Sequence, residues 1–211
     1  MDSIEGLNLS NVLRVVAAGL DIPVKAILII LILCAAALFG WLIAELFTER
    51  RRLKIVLPKL LDEMQDRSDS LAEVISGSGL LRRQREALLE LTRHPDFNDM
   101  MREALAVRLI EQEQARYDGI LKLSELVARL GPMFGLLGTL IPLGPGIIAL
   151  GQGDTYTLSI SLLTAFDTTI AGLSAAAVAT VISSIRRAWY KDYMSTLEAL
   201  MSCSLELTRG K

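Results

Sequence analysis

Apolar and polar positions divide the chain into three long apolar runs separated by charged sequence. The runs cover residues 22–47, 130–150 and 158–185. A helix needs about 20 predominantly apolar residues to cross the hydrocarbon core of a bilayer, and all three runs meet that length. The first run carries charge only near its ends, at Lys25 and Glu45. The pattern therefore predicts an all-α membrane protein with three transmembrane helices.

The sequence before the first run is an amphipathic segment, residues 1–21. It holds the acids Asp2 and Glu5 where a cleaved signal peptide would be basic, and it has no A-x-A cleavage site. We therefore expect residues 22–47 to remain in the protein as a membrane anchor.

Residues 48–129 and 186–211 are charged regions with helical spacing of their leucines. Helix breaks are predicted at residues 77–79 and at His94-Pro95, which indicates a helical hairpin or a short bundle. From Asn98 the pattern runs into the second span, so that span is expected to extend as one long helix. Six residues after the third span are expected to pack against this extension: Trp189, Tyr190, Tyr193, Met194, Leu197 and Leu200.

Basic residues predict the orientation in the membrane. They follow the first span at Arg50, Arg51, Arg52, Lys54 and Lys59, and the third span at Arg186, Arg187 and Lys191. The turn at residues 151–156 holds no Lys or Arg. By the positive-inside rule the N-terminus lies outside and both charged regions are cytoplasmic. The predicted location is the cell (inner) membrane, with several spans.

The composition excludes several classes of protein. Apolar residues make up 52% of the chain and aromatic residues only 5%, a balance that suits spans packed through small side chains. Cys34 and Cys203 give no disulfide framework, and the only histidine, His94, gives no metal cluster or catalytic triad. We therefore expect no cofactor, no metal and no enzymatic activity.

Small residues gather on one side of the second and third spans. At about 100° per residue, one face of the second span carries Gly131, Pro132, Gly135, Gly138, Thr139, Pro142, Pro145 and Gly146. In the third span Thr168 lies near the middle of an arc of small residues that includes Gly172. Such faces let membrane helices approach closely. The Gly and Pro positions are more simply packing and kink positions than ligands.

Asp167 is an acid in the middle of the third span. An ionisable group at that depth costs several kcal/mol unless it faces protein or water, so it predicts a functional site. On a helical wheel Asp167 lies about 100° from Thr168 and about 160° from Thr169. One lumen is not easily faced by both Asp167 and Thr169. A helix between a pore and a neighbouring subunit could use both.

The segments Gly135-Leu136-Leu137-Gly138-Thr139 and Thr169-Ile170-Ala171-Gly172-Leu173 resemble the MotA/TolQ/ExbB proton-channel family. The resemblance covers roughly residues 130–187. The order of one span, a large cytoplasmic region and two closely spaced spans is similar to TolQ and ExbB.

The resemblance implies a homopentameric ring around the single transmembrane helices of a dimeric partner, whose membrane aspartate carries the proton. It implies that Thr139 and Thr169 lie along the route, and that proton passage turns the ring and transmits force to an envelope structure or appendage. Where ExbB and TolQ carry a glutamate, this chain has Thr164. Asp167 either takes over the acidic role of that glutamate or marks a different route. Thr168 is a further candidate for the ion pathway.

Three function classes remain open. The first is the channel subunit of an ion-driven motor, with the proton as the expected ion. The second is a membrane scaffold without ion conduction, in which the threonines bond their own helix carbonyls and Asp167 pairs with a neighbouring subunit. A membrane enzyme ranks last, because no nucleophile, metal constellation or phosphate loop is present.

Overall fold

The computed structural model describes residues 9–48, 57–67, 70–94 and 97–208. The acids Asp2 and Glu5, the basic residues from Arg50 to Lys54, and Pro95 lie outside the described residues. Among those described, all regular structure is helical and no strand occurs. Six α-helices follow in chain order: α1 (Leu9–Thr48), α2 (Leu57–Asp66), α3 (Leu71–Gly77), α4 (Arg82–Thr92), α5 (Asp99–Gly151) and α6 (Thr155–Thr208).

The three predicted spans lie in the three long helices α1, α5 and α6. Each of these helices is long and apolar enough to cross a membrane. The all-helical class and the three candidate spans are thus confirmed, and the chain is a multi-pass membrane protein. Helix α5 continues through Pro132, Pro142 and Pro145.

The turn between α5 and α6 follows from one glycine and one capping acid. Gly153 has a φ of 76°, a left-handed conformation that costs glycine little. The amide of Asp154 donates to the carbonyl of Ala149 at 2.9 Å, and the amide of Gly153 donates to that of Leu150 at 3.1 Å. These two bonds form a Schellman motif, which ends α5 by satisfying its last carbonyls.

The chain divides into two compact units, and each long helix contributes to both. The first unit comprises Met1–Gly40 and Leu123–Ser183. Its part of α1 buries a stripe with heptad-like spacing. The stripe consists of Val24, Leu28, Leu31, Ala35 and Leu38. Large apolar residues on the other faces of these helices stay exposed, which costs nothing where they meet lipid.

The second unit comprises Trp41–Lys122 and Ser184–Lys211. The breaks predicted at residues 77–79 and at His94 separate α3 from α4 and end α4. The three short helices share one apolar core with the neighbouring parts of α5 and α6, and this core includes Leu88, Ala106, Leu197 and Leu200. The predicted packing of the α6 extension on α5 is therefore present, and Tyr190 stacks on Tyr117 at 4.4 Å.

Candidate functional site

Glycines bring α5 and α6 into close contact in the first unit. A Cβ atom placed on Gly131 would lie 2.5 Å from the carbonyl oxygen of Gly172. One placed on Gly172 would lie 2.8 Å from the Cα of Gly135, closer than real Cβ contacts allow. The obstructing atoms belong to the backbone and have no rotamer to change. Only residues without a Cβ fit here, as in other close crossings of membrane helices.

Further along the same contact, Gly138 packs against Thr168. A Cβ on Gly138 would lie 2.7 Å from the Thr168 Cβ, and one on Gly146 would lie 2.9 Å from the Ser161 Cβ. The residue numbers of the contact partners on α6 decrease as those on α5 increase, so the two helices run antiparallel. Thr168 is buried at the centre of this contact, where its predicted place in a small-residue arc puts it.

The Gly138–Thr168 contact determines which residues share a side of the helix pair. Each helix turns by about 100° per residue. Because α5 and α6 run in opposite directions, the residue after Gly138 and the residue after Thr168 turn toward the same side. Thr139 and Thr169 therefore lie on one side of the pair, while Leu137 and Asp167 lie on the other.

The candidate threonines all donate to carbonyls of their own helix. Thr139 donates to Leu136 at 2.7 Å, and Thr169 donates to Ala165 at 3.1 Å. Thr164 donates to Ile160 at 3.0 Å, and Thr168 donates to Ala165 at 2.9 Å. Each hydroxyl has a single proton, which these bonds use. What remains for other groups is the acceptor capacity of the oxygens.

Asp167 is exposed at the surface of this chain, next to the exposed Phe166. Its separation from Thr169 agrees with the wheel expectation that both do not face one lumen. The structure does not bring Asp167 and the two threonines Thr139 and Thr169 together. Thr164 lies on the Asp167 side of the pair, since it lines a cavity shared with Leu137.

The prolines of α5 lie less uniformly than the wheel predicted. The glycines 131, 135, 138 and 146 are buried, whereas Pro132 and Pro145 are exposed and Pro142 is half-buried. The expectation that all the prolines share the small face is thus corrected. The glycines are drawn into the contact because they lack side chains, and the proline rings are too large for that gap.

Asp154 caps the first turn of α6 beside this site. Its carboxylate accepts the backbone amide of Thr157 at 3.0 Å and the Thr157 hydroxyl, as capping acids do. The hydroxyl hydrogen bond, with the amide bond next, lowers the pKa of Asp154 from its usual value. The carboxylate is therefore charged at neutral pH.

In the second unit the basic residue Arg186 has a structural partner. Its place after the third span makes it an orientation signal in the sequence, but its side chain is fully buried. Its guanidinium lies 3.0 Å from the Glu45 carboxylate and 4.8 Å from the centre of the Trp41 ring. Tyr190 also donates to Glu45, at 3.4 Å. One acid and one base at the edges of two spans were the only sequence signal for this pair.

The family model of the MotA/TolQ/ExbB proton channel family matches this chain. It matches residues 75–199, more than half of the 211 residues. The match begins in α3, includes all of α4 and α5, and ends within α6. It is therefore wider than the resemblance carried by residues 130–187. No curated protein matches the chain.

Proposed function

The chain belongs to the MotA/TolQ/ExbB proton channel family, and from that membership we propose that it is the channel subunit of an ion-driven membrane motor. The proposed ion is the proton, and the proposed output is force on, or rotation of, a single-span partner. The chain itself catalyses no covalent reaction in this proposal. It lies in the inner membrane, with its N-terminus outside and its C-terminus in the cytoplasm.

The observation that carries the proposal is the placement of Thr139 and Thr169 on one side of the α5–α6 pair. Both side chains are half-buried in the single chain, and both keep acceptor lone pairs after bonding their own helix. A protonated carboxyl group or a hydronium ion can donate to such oxygens. Two acceptors on one side of a rigid helix pair are what a proton route along that side needs.

The proposed assembly is a homopentamer in which the Thr139 and Thr169 side of each chain faces the centre. Two single-span partner helices, each with a membrane aspartate, lie inside the ring. The close glycine contact supports this arrangement because it holds α5 and α6 as one unit, so both threonines move together. Large apolar side chains on the outer faces suit contact with lipid.

Imaging of the complex tests the assembly. The chain is co-expressed with the neighbouring single-span gene, and particles of the purified complex are imaged. Five copies around two central helices is the expected result. A closed ring that never takes up a central helix would instead identify the chain as a scaffold.

Proton flux tests the route. The complex is reconstituted in liposomes, and Thr139→Val and Thr169→Val are compared with the matched control Thr168→Val, which removes the same hydroxyl from inside the helix contact. Loss of a hydrogen bond to a charged group is worth about 1.5–3 kcal/mol. That corresponds to a roughly tenfold or greater fall in flux for Thr139→Val or Thr169→Val. Equal flux in all three variants would refute the assignment.

A further inference from the structure

A cavity of about 820 Å³ lies in the first unit, beside the outer part of the α5–α6 contact. Its walls come from α1, α5 and α6, and it lies on the Leu137 side of the helix pair, away from Thr139 and Thr169. Its wall includes Leu20, Ile141 and Ile148, but also a series of polar residues. We name it the outer cavity.

Four polar residues of the outer cavity lie at the start of α6 and along one of its faces. Asp154, Thr157, Ser161 and Thr164 all line it, with spacings of three and four residues that keep them on one side of a helix. At 1.5 Å per residue they extend over about 15 Å along the helix axis. The series leads from the turn at the end of the spans toward the level of the Gly138–Thr168 contact.

Ser161 presents a polar group without a protein partner to the cavity that it lines. Its side chain is largely buried, with 9% exposure, and its hydroxyl makes no hydrogen bond with any residue that the structure describes. The Oγ atom itself keeps accessible surface, and a hydroxyl in such a place normally bonds to an ordered water. Gly146 leaves the space in front of it, since a Cβ there would lie 3.4 Å from the Ser161 Oγ.

The threonine hydroxyls of α6 and one backbone carbonyl offer acceptors, while the side-chain amide of Gln152, which also lines the cavity, offers both donors and an acceptor. The Thr164 hydroxyl donates to Ile160, and the Thr157 hydroxyl donates to Asp154. The carbonyl of Ile141 lacks the usual helix hydrogen bond from the residue four positions later, because Pro145 has no amide hydrogen. Acceptor oxygens favour cations and water molecules that donate to them.

The charges at the cavity mouth point the same way. Three charged residues line the cavity: Asp21, Lys25 and Asp154. Lys25 is paired with Asp21 at 2.7 Å, which leaves Asp154 as the uncompensated charge. Its pKa is lowered by the Thr157 hydrogen bonds, so it stays ionised.

We propose that the outer cavity is a water-filled, cation-selective vestibule that reaches Thr164 from the Asp154 end. It is a second aqueous approach to the middle of the span, separate from the side that carries Thr139 and Thr169. The choice of a cation as the occupant rests on the proposed function, whereas the presence of water does not.

Cysteine labelling tests the vestibule. Cys34 and Cys203 are first replaced by alanine in the full chain. Ser161→Cys and Thr164→Cys are then treated in membrane vesicles of both orientations with a cationic methanethiosulfonate that does not cross membranes. The matched control is Leu163→Cys, at a neighbouring position that is 62% exposed on another face of α6.

Both cavity variants should react at least about tenfold faster than Leu163→Cys, because only a hydrated thiol ionises readily. The rates with the cationic reagent should also exceed those with an anionic sulfonate reagent. Asp154→Asn in the same background should bring this ratio several-fold closer to one. A fast label with no charge preference would overturn the cation assignment and leave the water.

Failure to label Ser161→Cys and Thr164→Cys, in variants that elute as the wild-type oligomer, would overturn the vestibule and indicate a lipid-filled cavity. The valine substitutions at Thr139 and Thr169 are measured separately by proton flux. If the cavity cysteines did not label but proton flux fell in Thr139→Val and Thr169→Val, only the vestibule would be refuted. If the cavity cysteines labelled but the complex conducted no protons, only the motor would be refuted.

Discussion

Replacing Gly172 with alanine should destabilise the protein by forcing α5 and α6 apart. The new Cβ would meet the Gly131 carbonyl oxygen and would lie 2.8 Å from the Gly135 Cα. Ordinary contact begins near 3.4 Å, so the helices must separate by at least 0.6 Å. A gap of that size forfeits about a quarter or more of each dispersion contact along the crossing.

The expected cost follows from this overpacking. Inserting a methyl group into a tight contact costs about 1–3 kcal/mol. For a chain of this length, each kcal/mol lowers the Tm by about 2–4 °C. Gly172→Ala should therefore lower the Tm by roughly 2–12 °C. The assay is thermal unfolding of the protein in detergent.

The matched control for Gly172→Ala is Gly40→Ala. Gly40 lies in α1, and a Cβ there would meet nothing within 4 Å. Alanine favours a helix over glycine by about 0.5–1 kcal/mol, so this variant should melt at or slightly above the wild-type temperature. If Gly172→Ala also melted there, the close contact of α5 with α6 would be refuted.

Three further predictions concern charged groups. Glu45→Gln should lower the free energy of unfolding by about 3–5 kcal/mol, because it leaves the buried Arg186 without a charged partner. The double variant with Glu45→Leu and Arg186→Met should recover most of the Tm that Glu45→Gln loses. An equal Tm loss in both variants would contradict the pairing. Because the pKa of Asp154 is lowered on folding, its stabilising effect is present at neutral pH and is lost as pH falls through its folded-state pKa. The Tm difference between wild type and Asp154→Asn should therefore shrink as the pH falls below the usual carboxyl pKa of 3.8, and a pH-independent difference would show that the Thr157 hydrogen bonds do not perturb the carboxyl. Asp167→Asn should leave proton flux unchanged, since Asp167 lies opposite the side of Thr139, and loss of flux would place this acid on the route.

Much of the fold was predictable from local pattern. The three spans follow from run length, and the ends of α3 and α4 follow from the glycines at 77 and 79 and from His94. The small faces of α5 and α6 follow from the helical period, and burial of Gly138 and Thr168 agrees with them. Local signals work here because a lipid-spanning segment must satisfy its own backbone as a helix.

Other features depended on residues far apart in the chain. In the sequence Arg186 is only an orientation signal, whereas in the structure it is buried against Glu45. The exposure of Pro145 and the unpartnered hydroxyl of Ser161 were likewise not predicted. Each depends on which side chain of another helix lies opposite, and helical periodicity carries no information on that.

The sequence by itself determined that this is a three-span, all-helical protein with small faces on its second and third spans, and its motifs indicated the proton channel family. Only the tertiary structure decided that Gly138 contacts Thr168, and therefore that Thr139 and Thr169 share one side of the helix pair. It also decided that Thr164 lines the outer cavity, on the opposite side, where Asp167 lies as well. The reason is physical. A wheel gives the angle of each residue about its own helix, but the register between two helices comes from which backbones can touch, and here the glycines decide it.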